Sequence, residues 1–307
     1  MTNVEKALFS AWIRRLGKKR VVELTASIAG SSLGEKVAKL VKSKSNVELA
    51  AILLEGFDGY YHQTVYMRRI KQADKLAKAI DLMDSTDGVS LLTTLPDGKL
   101  FRALFMVTQR MQFVESQTTT VFSIDVAFPV ALSISGPQLT IQVLTMQSGR
   151  KTWSLIVGRP LQRMLTFVRA DRIADKLLTF LLTAQVDLGE YHDYTGRAKL
   201  LLASSSADTY SGSYNEGTDG QSTHKTVRGK GKRALRESMP NGFEKLMGAN
   251  RILKAEVELK DSYQGLDAGS KMVVYPSIGK IILRSSLEGG DLNAFIKALG
   301  KDLAMAG

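Results

Sequence analysis

The chain of 307 residues contains no cysteine and only three histidines. The lack of cysteine excludes disulfide bonds, thiol nucleophiles and iron–sulfur clusters, and it removes nearly all structural zinc sites. The histidines His62, His192 and His224 are scattered, so a transition-metal site would have to take most of its ligands from carboxylates. We therefore expect no cofactor and no bound metal ion.

The sequence also lacks the glycine-rich motifs that hold nucleotide phosphates. It contains no G-x-x-x-x-G-K-[ST] loop and no G-x-G-x-x-G after a predicted strand. Nucleotide-dependent enzymes of these classes are therefore not indicated, and we expect a binding protein rather than an enzyme.

Long apolar runs are absent as well. The first thirty residues carry several charged side chains and no apolar stretch before a small-residue cleavage site, so no secretory signal is predicted. No segment approaches the roughly 18 apolar residues that a membrane span needs. We expect no transmembrane segment and a location in the cytoplasm, or in the nucleoid or nucleus.

Hydrophobic residues make up 44% of the chain and charged residues 23%, which is the balance of a globular protein with a sizeable core. Residues 1–86 predict a helical basic region because their apolar side chains recur at helical spacing between glycines. Val47–Leu54 is predicted as a helix capped by Ser45, and Tyr60–Met83 as the longest helix.

Residues 87–203 change to a period of two, and they predict an antiparallel meander followed by a helix. Phe122 to Phe128 alternate apolar and polar side chains as a half-buried strand does. Trp153 to Val157 are predicted as part of a further strand, and Pro160 as the first residue of the helix that follows.

Residues 204–233 contain mostly serine, glycine, threonine and charged residues, with scarcely an aliphatic side chain. Such a segment buries too little apolar area to offset its ordering entropy, so we predict a flexible linker. Residues 234–307 predict a small ββα-like segment that packs on the central sheet. The fold class expected from the whole pattern is α+β.

The net charge of +12 is concentrated near the start of the chain. Residues 1–80 hold 15 basic and 7 acidic residues, whereas residues 81–204 hold 12 and 11, and residues 205–307 hold 15 and 12. The predicted meander is therefore nearly neutral, and the predicted helical region carries most of the excess.

Three basic clusters are candidate nucleic-acid-binding residues. The first cluster consists of Arg14, Arg15, Lys18, Lys19 and Arg20. The second consists of Arg68, Lys71, Lys75 and Lys78, at the spacing of one face of the predicted long helix. The third consists of Lys225, Arg228, Lys230, Lys232, Arg233 and Arg236, with no acidic residue among them.

Cationic side chains at this density predict binding to the phosphate backbone of DNA or RNA without base readout. Two alternatives remain open. The lysine and arginine side chains could be the solvated face of amphipathic helices. They could also form the basic surface of a structural, self-assembling module that forms homo-oligomers. Leu33–Val41 and Val47–Leu54 also have the lengths and spacing of a helix-turn-helix pair.

A nuclease is a further alternative, based on Glu256, Glu258 and Lys260 in a predicted strand. Residues two apart share one face of a strand, where a carboxylate can bind Mg²⁺ and a lysine can polarise the attacked phosphate. Charged residues on the solvent face of an edge strand explain the same pattern without catalysis. An adjacent His192-Asp193 pair could act in acid–base chemistry, but a polar loop explains it equally well.

Overall fold

The structure is a computed structural model that describes residues 3–16, 18–57, 63–86, 88–97, 100–144, 150–216, 223–231, 233–284 and 292–300. Within these residues the chain forms eleven α-helices and one antiparallel sheet of twelve strands, which confirms the α+β prediction. The helices are α1 Asn3–Ile13, α2 Lys18–Leu24, α3 Leu33–Ser43, α4 Asn46–Glu55, α5 Ala73–Asp81, α6 Arg150–Val157, α7 Ala170–Leu182, α8 Thr195–Ala203, α9 Leu235–Ser238, α10 Pro240–Gly248 and α11 Leu292–Leu299. The strands are β1 Gln63–Arg69, β2 Val89–Asp97, β3 Leu100–Glu115, β4 Val121–Ser135, β5 Gln138–Leu144, β6 Leu161–Met164, β7 Glu190–Tyr191, β8 Ala207–Glu216, β9 Thr223–Arg228, β10 Arg251–Leu259, β11 Lys271–Tyr275 and β12 Lys280–Leu283.

The described strands follow the order β2-β3-β4-β5-β1-β12-β11-β10-β8-β9 across the sheet, with β6 paired to β3 and β7 paired to β1. The predicted meander is present as β2 to β5, and its longest hairpin joins β3 and β4 from Leu100↔Ser135 to Val114↔Val121. β1 lies in the middle of the sheet, between β5 and β12, although it precedes the meander in the chain. The first strand of the sequence therefore joins the two halves of the sheet.

Two hydrophobic cores cover the two halves. The first core packs residues of α1 to α7 against β2 to β5, and it includes an edge-to-face contact between Trp12 and Phe128. The second core packs α8 to α11 against β8 and β10 to β12. β1 contributes to both, because Tyr66 belongs to the first core and Val65 and Met67 to the second. Alternate side chains of a strand point to opposite faces, so β1 connects the cores through its two faces.

The helix predicted over Val47–Leu54 is present as α4, with Ser45 as its N-cap. The Ser45 hydroxyl accepts a hydrogen bond from the backbone N–H of Glu48, and the Glu48 carboxylate accepts one from the backbone N–H of Ser45. A hydrogen bond from Lys44 and those from Ser45 lower the pKa of Glu48 to about 2. This cap therefore keeps its ionised form down to strongly acidic pH.

The long helix predicted over Tyr60–Met83 is wrong. Residues 63–69 form β1 and residues 73–81 form α5, while residues 60–62 lie outside the described residues. The apolar stripe was real, because Ile70 is 2% exposed and Ile80 is fully buried. Residues of the stripe fall in both β1 and α5. The strand shows no period-two alternation because it is buried on both faces, so its apolar residues also fit a helical spacing.

The strand predicted for Trp153 to Val157 and the helix predicted to begin at Pro160 are also wrong. Trp153 lies in α6, where it is fully buried and packs 5.6 Å from the ring of Phe113. Pro160 directly precedes β6, which pairs with the end of β3. Proline is tolerated at the start of an outer strand because its missing N–H is not needed there.

The flexible linker predicted for residues 204–233 is wrong in its described part, since β8 and β9 form a hairpin there. Residues 217–222 and Lys232 lie outside the described residues. Ala207 and Tyr214 of β8 are buried in the second core, which provides the apolar contacts that the segment itself lacks. Gly212 allows close packing, because a Cβ there would lie 2.5 Å from Leu246. The other predicted domain boundaries stay predictions.

Candidate nucleic-acid interface

The first predicted cluster is partly occupied by contacts within the N-terminal helices. The Arg14 guanidinium donates to the carbonyl oxygen of Gly34 at 3.2 Å. Arg20 forms ion pairs with Glu55 at 3.0 Å and with Glu23 at 3.8 Å. Lys19 is exposed, Arg15 is half-buried, and the side chain of Lys18 lies outside the described residues. Two of the five residues, Arg14 and Arg20, therefore hold the N-terminal helices together.

The second predicted cluster is not a stripe on one helix. Arg68 lies on β1, Lys71 lies in the loop after it, and Lys75 and Lys78 lie on α5. The Arg68 guanidinium donates to the carbonyl oxygens of Leu188, at 3.0 Å, and Gly189, and it stacks 4.4 Å above the ring of Tyr191. The guanidinium of Arg68 thus fixes the loop before β7, while Lys71 and Lys78 are exposed.

The third cluster forms what we name the basic edge, which consists of Lys225, Arg228, Lys230 and Arg233. β9 is the outermost strand at one end of the described sheet, and it is exposed along most of its length. All four side chains of the basic edge are exposed, and no described carboxylate lies within ion-pair distance of any of them.

A hydrogen-bonded turn holds the end of the basic edge in place. The backbone N–H of Gly229 donates to the carbonyl oxygen of Tyr210, and that of Lys230 donates to the hydroxyl of Ser238. A Cβ at Gly229 would lie 2.2 Å from the carbonyl oxygen of Arg233, so the turn requires glycine there. The cations at Lys230 and Arg233 therefore project from an ordered turn instead of a mobile linker.

Arg236 belongs to the same sequence run but has a structural function. Its guanidinium donates to the carbonyl oxygens of Leu202 and Ala203 at the end of α8, and it stacks 5.1 Å above the ring of Phe243. These contacts satisfy carbonyls that the helix leaves unpaired, and they place a cation at the negative end of its dipole.

We expect Arg236→Ala to lower the free energy of unfolding by about 1–2 kcal/mol, because it removes charge-assisted hydrogen bonds to a helix end. Arg233→Ala, three residues earlier and exposed, should change it by less than about 0.5 kcal/mol. Urea unfolding of both variants measures the difference. Equal losses would mean that Arg236 stabilises the fold no more than a surface charge does.

The structure does not bring the three clusters together on one surface. Five steps between neighbouring strands separate β1 from β9 in the sheet order. At about 4.8 Å per step, Arg68 and Arg228 lie on strands about 24 Å apart. The basic edge is therefore a separate site.

The helix-turn-helix interpretation does not fit the burial of α4. The face of α4 with Leu49, Ala50 and Leu53 is fully buried, and its exposed positions include Glu48 and Glu55. A recognition helix needs an exposed face that can approach a polyanion. α4 presents carboxylates there instead.

Glu256 and Glu258 lie on β10, Lys260 directly follows that strand, and each of the three forms an ion pair. Glu256 pairs with Lys254 at 2.9 Å, Glu258 with Lys271 at 3.3 Å, and Lys260 with Asp208 at 2.8 Å. The hydrogen bond from Lys254 lowers the pKa of Glu256. No group of three or more His, Asp or Glu side chains in the described part of the chain is placed to hold a metal ion. Ion pairs along a sheet face therefore account for the pattern.

The segment Gly30–Gly34 has the spacing G-x-S-x-G of a nucleophile elbow, but its serine caps a helix. The hydroxyl of Ser32 accepts a hydrogen bond from the backbone N–H of Glu35 at the start of α3. Turns follow α2 here, whereas an elbow requires a strand before the serine. His192, the other candidate for acid–base chemistry, is buried beside β1, where its backbone N–H donates to Met67.

A partly buried polar network joins α7, β1 and β12, and the sequence carries no signal of it. Asp171 accepts hydrogen bonds from the hydroxyl of Tyr66 at 2.7 Å and from Lys280 Nζ at 2.6 Å. Lys280 Nζ also lies 5.6 Å from the ring centre of Tyr66 and 5.3 Å from that of Tyr275. Burial and the Asp171 carboxylate raise the pKa of Tyr66 far above its ordinary value, so its hydroxyl stays a donor.

Comparison with protein-family models and with curated protein sequences finds no match for this chain. No helix in the described ranges is both long and apolar enough to cross a membrane.

Proposed function

We propose that this chain is a non-enzymatic nucleic-acid-binding protein that contacts phosphate groups through the basic edge. The observation that carries the proposal is the placement of Lys225, Arg228, Lys230 and Arg233 on one exposed edge without described ion-pair partners. Cations that are not neutralised by the protein can replace the counterions condensed on a nucleic acid, and the released ions favour binding.

The ordered turn after β9 supports the proposal. Lysine and arginine lose side-chain and backbone entropy when they bind, and this loss is smaller where the backbone is already fixed. Leu235 and Ala234 are buried directly after the turn and anchor it to the second core. The basic edge is thus presented by a preformed surface.

An outer strand that carries lysine is disfavoured for pairing with another sheet, because the charge would be buried against a second strand. The exposed N–H and C=O groups of β9 therefore suit a solvated, charged partner better than a second copy of the chain. For this reason the polyanion interpretation is preferred to self-assembly at this edge.

The proposal is tested by binding of a labelled duplex and of an unrelated single strand at about 50 mM and about 200 mM salt. The variant combines Lys225→Gln, Lys230→Gln and Arg233→Gln. Each phosphate contact makes the plot of log affinity against log salt steeper by about one unit. The slope of the variant should therefore be shallower than that of the parent by about two to three units. Affinity at low salt should fall by about tenfold or more, similarly for both sequences.

The matched control combines Lys19→Gln, Lys71→Gln and Lys78→Gln, which removes the same charge from exposed positions elsewhere. Its affinity and salt slope should stay close to those of the parent. Equal losses in both triple variants would assign binding to net charge alone and overturn the basic edge as the site. A parent protein that binds neither nucleic acid at low salt would overturn the function itself.

A further inference from the structure

A cleft of about 740 Å³ lies where α6, the segment after it and the end of β3 meet. This volume is within the range of small-molecule sites in proteins. The cleft lies in the half of the sheet opposite the basic edge, since β3 and β9 are near opposite ends of the strand order. Its ligand would therefore be independent of the proposed nucleic acid.

Backbone hydrogen bonds around Ser154 form the wall of the cleft. Its carbonyl oxygen accepts from the N–H groups of Gly158 and Arg159, and its hydroxyl accepts from the N–H of Leu161. The N–H of Ser116 donates to the carbonyl oxygen of Pro160, and both residues line the cleft. The cleft is thus built by ordered backbone and is preformed.

The polar part of the cleft is cationic. Arg150, Lys151 and Arg159 line it and are exposed, and no carboxylate is among the lining residues that the structure describes. The guanidinium of Arg159 lies 5.1 Å from the ring centre of Phe122, which fixes its direction. Glu115 neighbours the cleft in sequence, and its carboxylate accepts a hydrogen bond from Thr118. The cleft therefore attracts an anion.

The remaining lining is apolar. Leu155 is 77% exposed, which is a large exposure for a leucine, and it lines the cleft together with Pro160 and Leu161. Among the described residues that line the cleft there is no aromatic, asparagine, glutamine or aspartate side chain to stack on a base or to bind its edge. A nucleotide is therefore a poor match, whereas an apolar chain next to a charged group fits both parts.

We propose that this cleft binds a single-chain amphiphile with an anionic headgroup. Arg150, Lys151 and Arg159 contact the headgroup, and arginine suits phosphate or carboxylate because its donors form a planar fork. Leu155 and Leu161 contact the apolar chain, and the exposed side chain of Leu155 is removed from water on binding.

The test is isothermal titration of the full chain with dodecyl phosphate kept below its micelle concentration. Three comparison probes separate these features. Inorganic phosphate has the anionic group without the apolar chain, and dodecyl maltoside has the apolar chain without the charge. Vesicles of phosphatidylcholine and phosphatidylglycerol present anionic headgroups on a bilayer. We expect dodecyl phosphate to bind at least about tenfold more tightly than either single-feature probe, since both parts of the cleft contribute. Equal affinity for inorganic phosphate, or binding to vesicles only, overturns the proposal.

Two variants assign the binding to the cleft. The combined Arg150→Gln, Lys151→Gln and Arg159→Gln change and the single Leu155→Ser change should each weaken dodecyl phosphate binding about tenfold or more. Their controls are the Lys19, Lys71 and Lys78 triple variant and Leu82→Ser, a leucine that is 85% exposed elsewhere. Unchanged binding in Leu155→Ser, whose exposed position keeps the fold intact, overturns the proposal even if the triple variant does not fold.

Discussion

Gly189→Ala is expected to lower the free energy of unfolding by at least about 4 kcal/mol, because the new methyl group meets backbone atoms that are fixed by the sheet. A Cβ at Gly189 would lie 1.5 Å from the carbonyl oxygen of Arg69, and Gly189 has a φ of +61°. The positive φ alone costs an alanine about 1–2 kcal/mol. The remainder comes from displacing the pairing of β1 with β7, at Arg69↔Glu190.

The matched control is Gly136→Ala in the turn between β4 and β5. Gly136 has a similar φ of +54°, but nothing lies within 4 Å of a Cβ there. It should lose only about 1–2 kcal/mol, the strain of the positive φ. Urea unfolding of the two variants separates conformational strain from steric overlap, and equal losses would show that the backbone around Gly189 moves away without cost.

The loop that contains Gly189 also binds Arg68, a residue that the sequence alone predicts to bind nucleic acid. Its charge and spacing were those of an exposed basic face, but its hydrogen-bond acceptors, Leu188 and Gly189, come from 120 and 121 residues further along the chain. A contact of such separation depends on the fold and leaves no local pattern. Arg236 shows the same effect over a shorter distance, since it binds Leu202 and Ala203.

Local sequence patterns correctly predict elements that expose one face to solvent and bury the other face in the core. The strand from Phe122 to Phe128 and the helix capped by Ser45 are examples, and both are present. β1 was missed because Gln63 to Met67 are buried on both faces, so period-two alternation is lost. A continuous run of buried residues is compatible both with the apolar face of a helix and with a central strand, so periodicity does not distinguish them.

The hairpin of β8 and β9 was missed for a different reason. Its own residues are small and polar, and its stability comes from packing of Tyr214 and Gly212 against the second core. Composition measures what a segment can bury by itself, not what another segment provides. Composition alone therefore predicts a mobile run here, whereas the structure places the exposed cations of the basic edge on a strand and the turn after it.

Asp171→Ala is expected to lower the free energy of unfolding by about 2–3 kcal/mol at neutral pH, because it leaves the ammonium of Lys280 without its carboxylate. The Lys280 side chain is only 12% exposed, so water replaces the lost partner poorly. The value is below the 3–5 kcal/mol of a fully buried pair because the Asp171 side chain is 62% exposed and the pair is partly screened. Asp175→Ala, one turn later in α7 and exposed, is the control and should change stability by less than about 0.5 kcal/mol.

The pH dependence identifies the charge as the cause. Partial burial acts to raise the pKa of Asp171, but hydrogen bonds from Lys280 and Tyr66 outweigh it and hold the pKa below its ordinary value. A carboxyl group with a lowered folded-state pKa stabilises the fold above its unfolded-state pKa of about 3.9, and this contribution disappears as the pH falls through the lowered value. A double-mutant cycle with Lys280→Gln should therefore give a coupling energy of about 1–2 kcal/mol that is constant from neutral pH to about pH 5 and declines below about pH 4. A coupling energy that stays unchanged in acid would contradict this account. It would mean that the coupling between Asp171 and Lys280 does not depend on the negative charge of the Asp171 carboxylate.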